Sequence, residues 1–253
     1  MKFEDQTGYR IDLKNTPQRV ISLVPSQSEF LSDAGLGSRL LGVTKFCVHP
    51  KSLITEKTVV GGTKKIHLEK IRDLSPDLVI ANKEENTLED ILELRKFCTV
   101  WTSDIKNETE AFSMMDSLTE ILDLNFDTSA LKSQFATIKS SEKSSNKVLY
   151  LIWKNPYMTV GGDTFISRML HISGFENVCK DLSRYPVLSS TSLSELRPSQ
   201  VFLSSEPFPF NKNHIMELED IFPEAHIRLV DGEMFSWYGT RMQHCLEYFR
   251  KEF

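Results

Sequence analysis

The chain has 253 residues, of which 40% are hydrophobic and 26% are charged, a composition typical of a globular protein rather than a disordered or disulfide-rich one. It carries 30 Lys and Arg against 35 Asp and Glu, a formal net charge of −5, with no basic run longer than a pair. This pattern disfavours nucleic-acid binding. The longest apolar run, residues 148–153, is far shorter than the about 20 residues of a bilayer span, so we expect no membrane-embedded segment.

The N-terminal residues and the cysteines bear on the compartment. The first ten residues lack the apolar stretch of a secretory signal, which predicts a cytoplasmic protein, or a periplasmic one if the sequence is a mature form. Cys47, Cys98, Cys179 and Cys245 are scattered without a C-x-x-C spacing. Buried free thiols explain them better than disulfides, which fits a reducing compartment.

Short runs rich in Val, Ile and Leu alternate with helical patterns along the chain, as expected for α/β units with buried, mostly parallel strands. The predicted strands are residues 20–24, 40–44, 78–81, 99–102, 148–153, 201–204 and 227–230. The predicted helices are residues 26–34, 87–97, 108–122, 128–140, 164–173, 214–221 and 240–249.

An internal repeat divides the chain. Residues 71–80 (IRDLSPDLVI) recur in pattern as 193–202 (LSELRPSQVF), each time a short helix, a proline that stops it, and a strand. The repeat predicts two α/β lobes, residues 1–106 and 148–253. Between them, residues 107–147 show helical spacing and no strand signal, which predicts a helical connector. A helix of about 20 residues spans about 30 Å and resists bending, so we expect the lobes to open only slightly.

Three segments carry a family resemblance: residues 19–29 (RVISLVPSQSE), 68–80 (LEKIRDLSPDLVI) and 172–178 (ISGFENV). They resemble the class III, helical-backbone substrate-binding proteins of ABC importers for vitamin B12, haem and ferric siderophores. The resemblance covers nearly the whole chain. It implies two α/β lobes with mostly parallel sheets, joined by a long rigid connector helix, with a ligand cleft between them. It also implies non-catalytic binding of a corrinoid, haem or ferric chelate, with no covalent cofactor, by a monomer that partners an ABC permease.

Family members dock to the permease through one surface glutamate on each lobe. Glu69, in the Leu-Glu-Lys-Ile segment, matches the first of these. The internal repeat places Thr191 at the second position, and Glu195 lies one helical turn away.

In such a fold, the loops after the carboxyl ends of the parallel strands face the cleft. We therefore predict a ligand site formed by polar and aromatic residues of these loops. In the first lobe they are Ser26, Gln27, Phe46, His49, Asn82, Lys83 and Glu84. In the second lobe they are Trp153, Tyr157, Glu206, Phe208, Trp237 and Tyr238, and Arg184 is a further candidate outside these loops.

Several of these residues have a structural alternative. His49 could be an axial ligand or a stacking surface, or a loop histidine bonded to backbone. Cys47 and His49 could form half of a metal site, but no second pair accompanies them, so no metal site is predicted. Asn86 could cap the following helix, which leaves Lys83 as the better ligand candidate of its loop. The aromatic residues could belong to the core, and Arg184 to a surface ion pair.

Residues 161–164 (GGDT) open a predicted helix, where free backbone N–H groups could hold an anion, although Asp163 or Thr164 can cap it instead. No G-x-S-x-G, P-loop, H-E-x-x-H or G-x-G-x-x-G motif is present, so we do not predict an enzyme. The alternatives to an importer component are a cytoplasmic ligand-binding or sensing protein and, less favoured, an uncharacterised enzyme.

Overall fold

A computed structural model describes residues 1–138 and 146–253 and divides the chain into two compact α/β units. The first unit comprises Met1–Asp104, Thr109–Lys132 and Tyr238–Arg241. The second comprises Ile105–Glu108, Ser133–Trp237 and Met242–Phe253. No helix in the part of the chain that the structure describes has the length and hydropathy needed to cross a membrane.

The first unit contains a hairpin and a parallel sheet. The antiparallel hairpin is β1 (Lys2–Glu4) and β2 (Arg10–Asp12). The sheet strands are β3 (Val20–Ser22), β4 (Leu40–Val43), β5 (Thr58–Val59), β6 (Leu78–Asn82) and β7 (Thr99–Ser103). They pair in the order β5-β4-β3-β6-β7, every pair parallel. Their helices are α1 (Pro25–Asp33), α2 (Ser52–Glu56), α3 (Leu68–Asp73) and α4 (Leu88–Leu94), with a 3-10 turn at Gly37–Arg39.

The connector region contains α5 (Glu108–Ile121) and α6 (Ser129–Ala136). One face of α5 is fully buried, because Met114, Met115 and Leu118 recur at helical spacing. After α5 the backbone of Asp123 adopts a left-handed conformation (φ 49°) that cannot continue a helix. The predicted helix 128–140 corresponds to α6, and its last two residues, 139–140, lie outside the described residues.

The second unit is built on β8 (Lys147–Trp153), β9 (Met158–Thr159), β10 (Glu176–Asn177), β11 (Gln200–Ser204) and β12 (His226–Val230). The parallel order is β10-β8-β11-β12, and β9 pairs antiparallel with β8. Its helices are α7 (Phe165–Ile172), α8 (Ser190–Glu195), α9 (Lys212–Glu219), α10 (Glu233–Ser236) and α11 (Met242–Glu252).

The internal repeat corresponds to the same element in both units. In the first, α3 ends before Pro76 and leads into β6, and Ile71 is fully buried in the core. In the second, α8 ends before Pro198 and leads into β11, and Leu193 lies in the core. The α/β fold class with mostly parallel sheets is confirmed, as are all seven predicted strands to within about two residues.

The hairpin, which the sequence does not predict, is fixed to the sheet edge by Asp5. Its fully buried carboxylate accepts from the backbone N of Thr7 and Tyr9, both at 2.9 Å, and of Thr102 at 3.1 Å. It also forms an ion pair with Arg95 at 3.2 Å, and the Arg95 guanidinium stacks 3.5 Å from the centre of the Tyr9 ring. The Gln6 backbone N also donates to the Thr102 carbonyl at 3.1 Å, so the hairpin covers the exposed side of β7 through both contacts.

The first residues of α7 and α4 show which side chains cap these two helices, which the sequence left open. Thr164 caps α7 by accepting from the backbone N of Ser167, so capping explains this helix start. The prediction that Asn86 caps α4 is wrong, because Thr87 accepts from the Asp90 backbone N instead. Asn86 is used elsewhere: it donates to the Thr63 carbonyl at 2.9 Å and accepts from the Asn82 backbone N at 2.9 Å.

Candidate functional site

A buried polar cluster lies at the carboxyl edge of the first sheet, where β6 and β7 end and α1 begins. Gln27 Nε2 donates to Ser103 Oγ at 2.5 Å and to the Tyr238 hydroxyl at 3.5 Å. Asn82 Nδ2 donates to the same Ser103 Oγ at 2.9 Å. The Oε1 atom of Gln27 is buried and has no hydrogen-bond partner among the described residues. An unsatisfied buried acceptor costs about 1–3 kcal/mol, so this oxygen is a ready acceptor for a further donor.

Tyr238 belongs to this first-unit cluster, although the sequence places it in the second lobe. The segment Tyr238–Arg241 packs with the first unit, and Tyr238 is 5% exposed. Burial raises its pKa well above the ordinary value, so the hydroxyl is neutral and can donate. Ser26, on the first turn of α1, is also buried.

The loop after β6 is a turn held by its own side chains. Asn82 Oδ1 accepts from the backbone N of Glu84 at 2.8 Å and of Glu85 at 3.1 Å. Lys83, which we predicted as the ligand-binding member, forms an ion pair with Asp104 at 2.7 Å. Asn82 thus has a structural role, and the Lys83 charge is already neutralised.

The loop after β4 presents an aromatic ring to solvent. Phe46 is 48% exposed, and Lys45 Nζ lies 5.0 Å from the centre of its ring. His49 is half-buried. Cys47 between them is fully buried, with Sγ 3.2 Å from Ser28 Oγ, and burial raises the pKa of its thiol. The thiol therefore packs into the first unit and is a poor metal ligand or nucleophile.

The carboxyl edge of the second sheet carries an aromatic cluster. Trp153, at the end of β8, is 40% exposed, and its ring centre lies 5.6 Å from that of Phe208 in edge contact. Phe208 also contacts Phe210 at 4.7 Å and His214 at 5.4 Å. His214 Nδ1 accepts from the Asn211 backbone N at 2.9 Å, which fixes this ring at the start of α9. The cluster is a rigid hydrophobic surface with the Trp153 ring partly open to solvent.

Glu206 follows β11 on the same edge. Its Oε1 accepts from Ser236 Oγ at 2.5 Å and from Trp237 Nε1 at 3.0 Å. Burial raises the pKa of Glu206, and the nearby charges of Glu233 and Asp231 raise it further, while the two hydrogen bonds oppose the shift. Both donors reach Oε1, which leaves Oε2 as the acceptor for another group.

The remaining candidates of the second unit lie at or near its surface, apart from Trp237. Trp237 is 8% exposed and held by Glu206, so it is packed rather than presented as a wall. Tyr157 is half-buried, and burial raises its pKa. Arg184 has a left-handed backbone (φ 62°), fixed because its N donates to Asp163 at 2.6 Å. Its guanidinium lies 5.7 Å from the centre of the Tyr185 ring.

The structure brings together Gln27, Asn82 and Tyr238 in the first unit, and Trp153 with Phe208 and Glu206 with Trp237 in the second. Ser103 and Ser236 also belong to these groups, but they were not predicted from the sequence. Ser103 directly follows the predicted strand 99–102, so the rule that strand ends carry ligand contacts could have found it. Ser236 lies on α10, which the sequence pattern does not reveal.

Glu69, the predicted docking residue, lies on α3 with its side chain 80% exposed and pairs with Arg72 at 3.2 Å. Within residues 1–138 and 146–253, no group of three or more His, Cys, Asp and Glu side chains is placed to hold a metal ion. The edges just described can contact a ligand by stacking and hydrogen bonding.

Comparison with known proteins identifies the family. The family model for the periplasmic binding proteins matches residues 20–220, most of the chain. The chain belongs to the periplasmic binding protein family. A vitamin B12-binding protein of Vibrio parahaemolyticus is 30% identical to this periplasmic binding protein over 208 residues, 77% of this chain and 74% of the relative.

Two further comparisons agree with this family. An uncharacterised ABC transporter substrate-binding lipoprotein of Bacillus subtilis is 24% identical over 214 residues, 78% of this chain and 67% of the relative. The solved structure of a periplasmic haem-binding protein in complex with two haems superposes with a TM-score of 0.77 at 20% identity. It covers 92% of this chain and 96% of that one, and so shows that the two share a fold.

Proposed function

We propose that this periplasmic binding protein is the substrate-binding component of an ABC importer. It binds a metal chelate or a flat, cofactor-like ligand, such as a corrinoid, haem or ferric siderophore, without covalent attachment and without changing it chemically. Membership of the family over residues 20–220 carries this proposal, and relatives named for vitamin B12 and haem binding support the ligand class. The haem-binding relative is named as periplasmic, which supports action in the periplasm.

The ligand contacts are the side chains at the carboxyl edges of the two sheets. Phe46 in the first unit and Trp153 in the second are large rings that remain 48% and 40% exposed. Flat hydrophobic ligands stack on such rings, which otherwise carry an unfavourable exposed apolar surface. Gln27 Oε1 in the first unit and Glu206 Oε2 in the second provide acceptors at the carboxyl edges of their own sheets. A site of aromatic surfaces with a few polar groups suits binding by shape rather than by reaction.

The chemistry of the edges also favours binding over catalysis. A nucleophile needs a base within hydrogen-bond reach. Cys47 faces Ser28 and Thr44, and burial raises its pKa, which suppresses the thiolate. His214 uses Nδ1 to cap α9 and packs its ring against Phe208 and Phe210. These groups stabilise loops and are not arranged for proton transfer.

Titration with cobalamin, haemin and a ferric siderophore tests the proposal, with tryptophan fluorescence and thermal stability as readouts. We expect one of the three to quench fluorescence saturably and to raise the Tm. Trp153→Ala should weaken binding of that ligand by about tenfold, the loss of one stacking ring. Leu229→Ala, which removes a similarly exposed apolar side chain from β12, is the control and should leave binding unchanged. If no member of the panel binds, the proposed ligand class is wrong.

Glu69 provides a separate test of the importer role. Its ion pair with Arg72 is exposed and therefore contributes little, so a permease arginine could replace Arg72. We expect Glu69→Gln to reduce ligand uptake by cells while leaving ligand affinity unchanged. Glu93→Gln, which removes an exposed carboxylate paired with Lys96, is the matched control. Unaltered uptake with Glu69→Gln would exclude this docking position.

A further inference from the structure

One segment of the first unit has a charge opposite to that of the chain. Residues 45–65 contain five lysines and one glutamate, whereas the whole chain has a net charge of −5. Three of these lysines, Lys45, Lys64 and Lys65, lie in the loops after β4 and β5, which are neighbouring parallel strands. Both loops are therefore at the carboxyl edge of the first sheet.

Backbone hydrogen bonds hold the two loops against each other. The Lys45 backbone N donates to the Gly61 carbonyl at 2.8 Å. The second loop then makes a tight turn, with the Gly62 backbone N donating to the Lys65 carbonyl at 2.9 Å and Gly61 bridging Ile66. Gly61 has φ 121°, and a Cβ there would lie 2.6 Å from the Lys65 carbonyl oxygen, so only glycine fits. The turn places Lys64 and Lys65 at its tip, beside Lys45.

The three ammonium groups form no ion pair with any described residue. Lys45 Nζ lies over the Phe46 ring, and Lys64 Nζ donates to the Glu84 backbone carbonyl. Lysines elsewhere in the chain do pair with carboxylates, among them Lys83, Lys96, Lys132, Lys154 and Lys180. The lysines of these loops thus bring like charges together without an ion pair to a described carboxylate.

A flat hydrophobic surface lies within this group of charges. Phe46 is 48% exposed, and its ring edge borders Gly62, where a Cβ would lie 3.2 Å from the ring atom Cε2. Because Gly62 has no side chain, the Phe46 ring can approach the turn this closely. We call Lys45, Phe46, Lys64 and Lys65 the lysine rim. It combines one stacking surface with three ammonium donors.

We propose that the lysine rim binds the anionic groups of a planar ligand, so that the ligand of this chain carries peripheral carboxylates or similar anions and is not an uncharged molecule. Lys45 leaves the Phe46 ring when the ligand stacks there and pairs with an anionic group of the ligand instead. The inference rests on the proposed function and adds the charge of the ligand, which that function leaves open.

The experiment compares one ring system with and without its charges. Haemin carries two carboxylates, and haemin dimethyl ester has the same ring without them. Cobalamin serves as a large uncharged ligand. Affinities are measured by fluorescence quenching at 50 mM and 500 mM NaCl for the wild type and for the triple variant Lys45→Gln, Lys64→Gln, Lys65→Gln. The triple variant Lys96→Gln, Lys132→Gln, Lys180→Gln removes the same number of exposed charges and is the control.

We expect haemin to bind at least about tenfold more tightly than its ester, and high salt to weaken haemin only. The rim variant should lose about ten- to a hundredfold in haemin affinity, from about two- to fivefold for each exposed lysine, with the ester affected less than about twofold. If the ester or cobalamin binds as tightly as haemin, or the rim variant binds haemin like the control, ligand binding stands and the charge inference is overturned. If neither these ligands nor the ferric siderophore of the first panel binds, the proposed function fails, and the inference with it. If only the siderophore binds, the proposed function stands and the inference of a planar anionic ligand is overturned.

Discussion

Glu29 and Arg241 form an ion pair in the first unit whose contribution can be derived from its geometry. The Arg241 guanidinium donates from Nε to Oε2 at 2.8 Å and from Nη2 to Oε1 at 2.5 Å, and the two side chains are only 11% and 10% exposed. Arg241→Met removes the guanidinium and leaves a buried, uncompensated carboxylate. Such a change costs about 3–5 kcal/mol, because the remaining charge has lost both its partner and its hydration.

A double-mutant cycle tests this reasoning. Glu29→Met alone should cost a similar amount, since it leaves the guanidinium buried without the carboxylate that it pairs with. The double variant, with two apolar side chains of comparable volume, should be at least about 2 kcal/mol more stable than the sum of the two single losses predicts. Urea unfolding at pH 7, followed by circular dichroism and analysed by linear extrapolation, gives the three values. Losses that add to within about 0.5 kcal/mol would show that the two charges are solvated in the folded state and refute the argument.

Three other properties follow from buried groups. Asp5→Ala should lower the free energy of unfolding by roughly 3 kcal/mol, because it removes the acceptor of the buried Thr102 N–H and the carboxylate that pairs with Arg95. Asp12→Ala at an exposed position should change it by less than about 0.5 kcal/mol in the same urea assay. Burial raises the pKa of Glu206 in the folded protein above its value in the unfolded chain. Between these two pKa values the folded state binds more protons than the unfolded state, so the free energy of unfolding falls as the pH rises through this interval. Glu206→Gln should therefore gain in Tm relative to wild type between pH 4 and pH 8, and a Tm difference independent of pH would contradict this. Burial raises the pKa of Cys98 to about 12, so a thiol reagent at pH 8 should modify it only slowly until the protein is unfolded; rapid labelling of Cys98 in the native protein would oppose this.

The sequence predicts the sheets well because parallel strands are buried on both faces. Residues 148–153 and 78–81 are continuous apolar runs, and the structure makes them central strands of their sheets. The strands that escape prediction, such as β5 and β9, have two residues each and no periodicity to read. The hydrophobic pattern does not predict the hairpin of β1 and β2 either, because the hairpin depends on the hydrogen bond between Asp5 and the distant Thr102 in β7.

The candidate site is predicted in part, for a related reason. The rule that ligands lie at carboxyl strand ends depends on strand positions alone, and it selected Gln27, Asn82, Trp153 and Glu206. The interactions of these residues depend on packing that a single sequence does not show. Lys83 finds Asp104 across two strand ends, and Tyr238 joins residues more than two hundred positions earlier in the chain. The individual site residues therefore stay predictions until ligand binding is measured.

The segment Tyr238–Arg241 also limits how the protein can be divided. It clusters with the first unit, whereas Trp237 before it and Met242 after it cluster with the second. A gene fragment that ends after Lys132 would encode most of the first unit but would lack Arg241, Thr240 and Tyr238, which bond to Glu29, Asp33 and Gln27. In such a fragment, the surface of α1 that contacts these three residues would be exposed to solvent. Recombination at the connector would therefore separate the first unit from three of its own contacts.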